Sequence, residues 1–553
     1  MFQNSRPHHR FNLLSSLGIF RQDRHPGSLL FDLPWKFLPA LCLTLLSLHS
    51  CAIKSENPPE EPELEPSRVA IDTQLAFTTT ATPEIRTPTE TPLPENLIFG
   101  LAPRWLAVGE AALASLPAGT FPGSIQLEAM NPTDGQLKSG QIDLALLPDS
   151  AGVFVADTVL ALAVPWTSEW EQVSREEAEA ILNEASPFVA VIEWPEMSPT
   201  LKPLRIDGLH PSQPDYPLRT RWSLHAQPGL EDIALALAQA LTGVMGDEPV
   251  KLTAVGDIML ARGLGEAIHT GDDPYPFAAV EHLLASAELT LGNLESALGD
   301  GGQAEAKGYT FLAPSEAAQT LALAGFDVLS LANNHAMDYG SQTLLHAIDL
   351  LQAQGVEVVG AGADASRANA PLYIEINGIK LAFLSFVDVP VEVRGFDTHT
   401  WVAAEDKAGV AWADPTRMRA GIESARSAAD VVIVLLHSGY EYISTPSPPQ
   451  QHAARLAIDA GADLVIGHHA HIIQGVEFYG DGVIVYGLGN FAFEDSGVND
   501  SGLMHIWLDH AGVRSLEFVP VTLPQDGRPV PADPVRATAI RSYLYSLTRI
   551  VDP

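Results

Sequence analysis

From Lys251 to about residue 525 one pattern repeats along the chain. A short apolar run ends in a polar cluster, and an amphipathic stretch of helical length follows. LTAV runs into Gly256-Asp257, LTLG into Asn293-Leu294-Glu295, and VLSLA into Asn333-Asn334-His335. VVIVLL runs into His437, DLVIG into His468-His469-Ala470-His471, and VIVYGLG into Asn490. Helical stretches cover 313–325, 340–354, 414–428 and 449–460. Continuous apolar runs of this length fit buried strands, and their alternation with helices predicts an α/β layered domain with its ligands at strand C-terminal ends.

Upstream, residues 97–243 are also globular in pattern. IDLALL (142–147) and VLALAVPW (159–166) predict buried strands, FVAVIEW (188–194) a further strand, and Ser174 with Glu177 a capping box that opens a helix to about Leu182. Gly243, Gly246, Asp247 and Glu248 mark a boundary. Residues 55–95 are rich in Pro, Glu and Thr and lack apolar periodicity, which predicts an extended tether. Before them, FLPALCLTLLSLHSCAI (37–53) is an uncharged run behind a net positive stretch. Its length is short for a spanning helix and suits a signal-peptide core. Leu48-His49-Ser50-Cys51 resembles a bacterial lipobox, in which Cys51 is the lipidated residue. The alternatives are an uncleaved membrane anchor and a plain apolar segment. The predicted organisation is an anchor (1–53), a linker (54–95), a smaller α/β domain (96–245), the chemistry-bearing domain (249–525), and a C-terminal extension with a helix (526–553).

Charge narrows the function. Against 31 Lys+Arg stand 68 Asp+Glu, a formal net charge of −37. No basic excess is available to displace counterions from phosphates, so nucleic acid is not an expected partner. A polyanionic ligand would need a locally positive spot, most simply a metal ion. The only cysteines, Cys42 and Cys51, lie in the N-terminal apolar stretch, so the folded regions hold neither a disulfide framework nor a Cys-based zinc site.

Asp and Glu supply charged oxygens, Asn a neutral oxygen and His a nitrogen. That mixture suits one or two divalent ions such as Mn, Fe, Zn or Mg better than a thiol-seeking metal. His469 and His471, one residue apart, share a side if the backbone is extended. His468 points away from its neighbours, and for single residues plainer readings stay open: Asp338 and Gly340 as caps of the helix that begins near Ser341, and Asn490 as a group that only satisfies loop backbone. Glu441 either orients His437 or is a solvated turn residue.

GDIMLAR (256–262), GNLES (292–296), NNHAMDYG (333–340), HSGYEY (437–442), GADLVIGHHAH (461–471) and YGLGNFAFE (486–494) together resemble the ordered motifs of the CapA, or poly-γ-glutamate capsule synthesis, family. That family is similar in fold to calcineurin-like metallophosphoesterases, which implies a layered β-sandwich flanked by helices. The resemblance implies metal ligands at Asp257, Glu295, Asn334, His437, His469 and His471. It implies that His335 is a proton donor to a leaving group and that Arg262 is an anchor for an anionic substrate group. A cation beside His335 lowers its pKa and Asp338 raises it, which would leave it near its ordinary value of about 6.5. Met259 stands where the phosphoesterase Asp-x-His motif has its histidine, which leaves a mononuclear site open. Ser438, Ala470 and Ser296-Ala297 also depart from the family's usual residues without removing a ligand.

The middle region resembles part of a periplasmic solute-binding domain of the phosphate-binding type. The resemblance rests on Asp207-Gly208 and Tyr216-Pro217-Leu218. The expected function is an extracytoplasmic, membrane-anchored hydrolase or transferase-like component acting on an anionic polymer or its precursor. The alternatives are a non-catalytic accessory of a membrane polymer synthesis or export complex and an anchored solute-binding sensor.

Overall fold

The computed structural model describes residues 96–551 apart from 122, 150, 185, 246–248, 272–275 and 495–496. The anchor, the linker and Cys51 lie outside the described residues.

The first sheet runs in the order Ser124–Ala129, Asn96–Leu101, Leu144–Leu147, Arg219–Ala226, Val153–Pro165 and Ala190–Glu193, and Leu201–Pro203 also pairs with Val153–Pro165. The first three strands are parallel and the rest antiparallel. Helix Glu231–Met245 lays Ile233, Leu237 and Leu241 on this sheet. Helix Arg175–Glu184 opens on the capping box: Ser174 Oγ accepts from the Glu177 N–H, and the Glu177 carboxylate accepts from the Ser174 N–H at 2.7 Å.

Two further sheets pack face to face. One orders Glu357–Val359, Val328–Ser330, Leu289–Leu294, Val250–Met259, Asp500–Asp509, Gly512–Thr522 and Val530–Pro531, with Asn490–Phe493 also paired to Val250–Met259. The other orders Leu372–Ile376, Ile379–Asp388, Val431–Ser438, Leu464–His468, Gly482–Val485, Val476–Tyr479 and Arg549–Val551. Leu252, Leu291, Phe383, Ile433, Ile466 and Phe518 belong to the core between them. Helices Ala317–Leu323 and Ser341–Ala353 cover the outer face of the first, and Pro415–Arg426 and Pro448–Asp459 that of the second. This is the expected α/β sandwich flanked by helices and preceded by a smaller α/β unit. The smaller unit is packed onto the sandwich. Trp166 donates through Nε1 to the Leu516 carbonyl at 3.0 Å, between the rings of Phe478 and Tyr545. Arg205 forms a bidentate pair with Glu517.

Strand periodicity carries the apolar core into the polar site. Val431, Ile433 and Leu435 face the inter-sheet core, whereas Val432, Val434 and Leu436 face the helices. The period of two therefore puts His437 on the inter-sheet side. The same count runs from Leu464 and Ile466 to His468, and from Leu289 and Leu291 to Asn293. Asp257 has the wrong parity relative to Ala254, and a bulge corrects it. Ala254 pairs with Leu291 but Asp257 pairs with Asn293, so the Asp257 strand holds one extra residue there. Gly256 is required at that point, because a Cβ would lie 1.8 Å from the Gly489 carbonyl oxygen.

Candidate metal centre

At the C-terminal ends of the parallel strands the two sheets bring their polar residues together. Asp257, Glu295, Asn334, His437, His469 and His471 are all buried there. Glu295, His437 and His469 offer one ligand atom each within 4.8 Å of one another, as do Asp257, Glu295 and His471. Glu295 thus belongs to both sets. Its Oε1 is 3.6 Å from His437 Nε2 and 3.7 Å from His471 Nε2. Asn334 Oδ1 lies 2.7 Å from His437 Nε2, so amide oxygen and imidazole converge on one point.

Asparagines align the set. Asn293 Nδ2 donates to Asp257 Oδ1 at 3.0 Å and lies 3.2 Å from His437 Nδ1. Its Oδ1 accepts from Asn333 Nδ2 at 3.0 Å. Asn333 Oδ1 in turn accepts from the His335 N–H at 2.9 Å, which fixes the loop that carries Asn334. Asn490 Oδ1 holds His471 Nδ1 at 2.8 Å.

The electrostatics fit a cation. Burial pushes Glu295 well above the usual carboxylate range, and the charges of Asp257 and Glu441 add to it. Both of its carboxylate oxygens are buried and accept no hydrogen bond among the described residues. Burial also opposes ionisation of Asp257, but the His468 imidazole 3.2 Å away, with His471 and His437 behind it, holds that carboxyl well below its ordinary value. Burial and His471 depress His469 to about 3, and burial and His469 depress His437 in the same direction. Neutral imidazoles keep the lone pair that a metal needs.

Beside the ligands, His335 Nδ1 is 2.8 Å from Asp338 Oδ2, and its ring packs 4.4 Å from that of Phe311. Burial lowers its pKa, Asp338 opposes the shift, and Lys307 adds to it. The net direction is downward rather than balanced, because burial and the lysine outweigh Asp338. Arg262 lies one ring further out. Its guanidinium is 4.7 Å from the Phe311 ring, and Nη1 donates to the Glu494 carbonyl at 2.9 Å. It is exposed, whereas the ligand set is buried.

Residues 251–495 match the family described as bacterial capsule synthesis protein PGA_cap. The chain is 32% identical over 295 residues to the capsule biosynthesis protein CapA of Bacillus anthracis, covering 52% of this chain and 70% of that protein. It belongs to this capsule synthesis family. The PGA biosynthesis protein CapA of Bacillus subtilis is 33% identical over 291 residues, covering 52% of this chain and 74% of its own. Among solved structures, one titled a novel phosphatase, from Mycoplasma pneumoniae, aligns with 50% of this chain and 95% of its own at 13% identity and a TM-score of 0.34.

Several residues of the family motifs sit differently from expectation. His468 does not point away: it ends its strand on the inter-sheet face, with Nδ1 3.2 Å from Asp257 Oδ1. His469 and His471 are not extended. Their φ values are 90° and 57°, so a left-handed turn, not strand alternation, brings both rings inward. Asp338 does not cap the next helix, whose N-cap is Gly340 with no side-chain cap. It binds Lys307, His335 and the Phe311 N–H instead. Asn490 orients His471 rather than loop backbone. Glu441 does not orient His437, which Asn293 and Asn334 hold. It is exposed, and its carboxylate groups with His469 and His471. Sequence reasoning missed Asn293 and Asn333 as aligning groups, although both stand in the quoted motifs. It also missed Lys307, a lone lysine in a glycine-rich stretch that carried no periodic signal.

Proposed function

We propose that this chain is a cell-surface component of capsule or poly-γ-glutamate biosynthesis whose sandwich holds one or two divalent cations of the Mn, Fe, Zn or Mg type. The reaction is hydrolysis or transfer on an anionic extracellular polymer or its precursor. Family membership and the names of the two CapA relatives support the pathway. One observation carries the chemistry: Glu295 is fully buried, accepts no hydrogen bond among the described residues, and is shared by two sets of ligand atoms. A lone buried carboxylate is costly unless a cation offsets it.

Glu295, His437, His469 and Asn334 would hold one ion, and Asp257, Glu295 and His471 a second. A bound cation supplies Lewis-acid polarisation of a carbonyl or phosphoryl oxygen. The Asn293 amide lies against His437 Nδ1, and His437 Nε2 faces Asn334 and Glu295. His335, held by Asp338 through Nδ1, keeps Nε2 free; it delivers a proton to a leaving group from its imidazolium form, which burial makes more acidic. Arg262, exposed at the margin, receives an anionic group of the substrate. Among the described residues no helix is long and apolar enough to cross a membrane. Attachment is assigned to the segment that ends at Cys51, and Cys51→Ala should release the protein from membranes or block its processing.

Metal analysis of purified protein, followed by a screen of phosphoester and γ-glutamyl substrates, tests this function. Bound divalent metal with turnover of one class is expected. Metal without turnover of either class would make the site a binding surface within a synthesis complex, and absence of metal would overturn the reading.

A further inference from the structure

We infer that Lys307 is a positioning residue: its buried ammonium pins the Asn334–His335 loop so that the amide oxygen of Asn334 is held at the metal centre. The inference rests on the metal-site reading above and extends it to a residue outside the ligand set.

Three segments distant in sequence meet at this one ammonium. Nζ donates to the Asn334 carbonyl at 2.5 Å, to Asp338 Oδ1 at 2.8 Å and to Glu392 Oε1 at 2.6 Å. Those three bonds match the three donors of a lysine, and His335 Nδ1 lies 3.4 Å from Nζ as a longer fourth contact. The aromatic rings of Trp401 and Phe396 lie 4.8 and 5.8 Å from Nζ. The lysine and Asp338 side chains are wholly buried, and Glu392 is nearly so.

An ammonium removed from water on every side is costly, so its retention calls for full compensation, which two carboxylates, a carbonyl and ring faces supply. The contact that concerns the site is the one to Asn334. The backbone carbonyl of the proposed ligand is held directly, while its side-chain oxygen stands 2.7 Å from His437 Nε2. Asp338 carries the restraint onward, since its second oxygen binds His335 Nδ1 and accepts from the Phe311 N–H at 2.7 Å. The Lys307 and Phe311 loop is tied back again where the Glu305 N–H donates to the Asp338 carbonyl at 2.8 Å. Without the ammonium, nothing else among the described residues is seen to hold the Asn334 carbonyl. Guanidinium is too wide and planar for a nest built around three convergent donors, so Arg should not replace Lys here.

The test uses the full chain loaded with Co²⁺, which reports ligand oxygens through its visible spectrum. Lys307→Met alone takes the cation from two buried carboxylates, of which only Asp338 keeps other partners among the described residues, so the informative variant is Lys307→Met with Glu392→Gln, and Glu392→Gln alone is the control. The double variant is expected to fold with the parent's circular dichroism, to bind Co²⁺ at least tenfold more weakly, and to show altered visible bands. Glu392→Gln should bind like the parent. Parent-like affinity and spectrum in the folded double variant would overturn the inference. So would failure of the double variant to fold, because the lysine would then serve the fold rather than the site. If the parent itself binds no Co²⁺, it is the metal reading that fails.

Discussion

Replacing Glu295 by Met should reverse the order of stability between the metal-free and metal-loaded proteins. Glu295 is fully buried and makes no hydrogen bond among the described residues. An unsatisfied buried polar group costs about 1–3 kcal/mol. Methionine has nearly the same length and volume and fills the site without that cost. The variant without metal should therefore be more stable than the parent by about 1–3 kcal/mol. With metal the balance changes sign. Free cation at a thousand times its Kd stabilises the parent by about 4.1 kcal/mol, and the variant, lacking the carboxylate common to the Glu295–His437–His469 and Asp257–Glu295–His471 groups, gains little of this. Urea unfolding followed by tryptophan fluorescence, once in EDTA and once in excess Mn²⁺, measures both quantities. A variant less stable than the parent in EDTA, or one that keeps the parent's full metal-induced gain, would show that Glu295 is not a buried carboxyl kept for a cation.

Other substitutions probe separate parts of the account. Changing His469 and His471 together to Ala should strip most bound divalent metal, and unchanged stoichiometry by elemental analysis would show that the ligands are wrongly assigned. His335→Asn should keep metal and thermal stability yet lose about 10²–10⁴-fold in turnover of whichever substrate the screen identifies, the range usual for a general acid. Full activity in that variant would remove the proton-donor role. Trp166→Ala should destabilise the junction of the smaller unit and the sandwich by about 3–5 kcal/mol, because the ring is buried between Phe478 and Tyr545. Metal content should stay as in the parent, and a loss of metal would mean that the junction and the site are coupled.

Much of the site was legible because strand periodicity is strict. In Val431–Ser438 and Leu464–His468 the apolar core positions themselves announce where His437 and His468 must point. Counting along DLVIGH would have turned His468 inward, and judging it from its neighbours in the motif missed this. The convergence of His469 and His471 was expected for the wrong reason, since it comes from positive φ values that no strand pattern reveals. Asp257 needed a bulge to face inward, and Gly256 beside it is the sequence trace of that close approach. Lys307 and Glu392 were not legible at all. They sit in irregular segments and meet only through tertiary packing, so no periodic signal marks them. Asp338 was read as a helix cap because capping is a local rule, but burial beside Lys307 and His335 overrode it.

Crystals soaked with Mn²⁺ and measured at the manganese absorption edge would test the metal centre most directly. Anomalous density is expected within about 2.0–2.4 Å of a Glu295 oxygen and of a His437 or His469 nitrogen, an ordinary range for such ligands. A second peak is predicted beside Asp257 and His471 if two ions bind. Anomalous density elsewhere with none at Glu295, or none at all under saturating Mn²⁺, would contradict a metal centre at these residues.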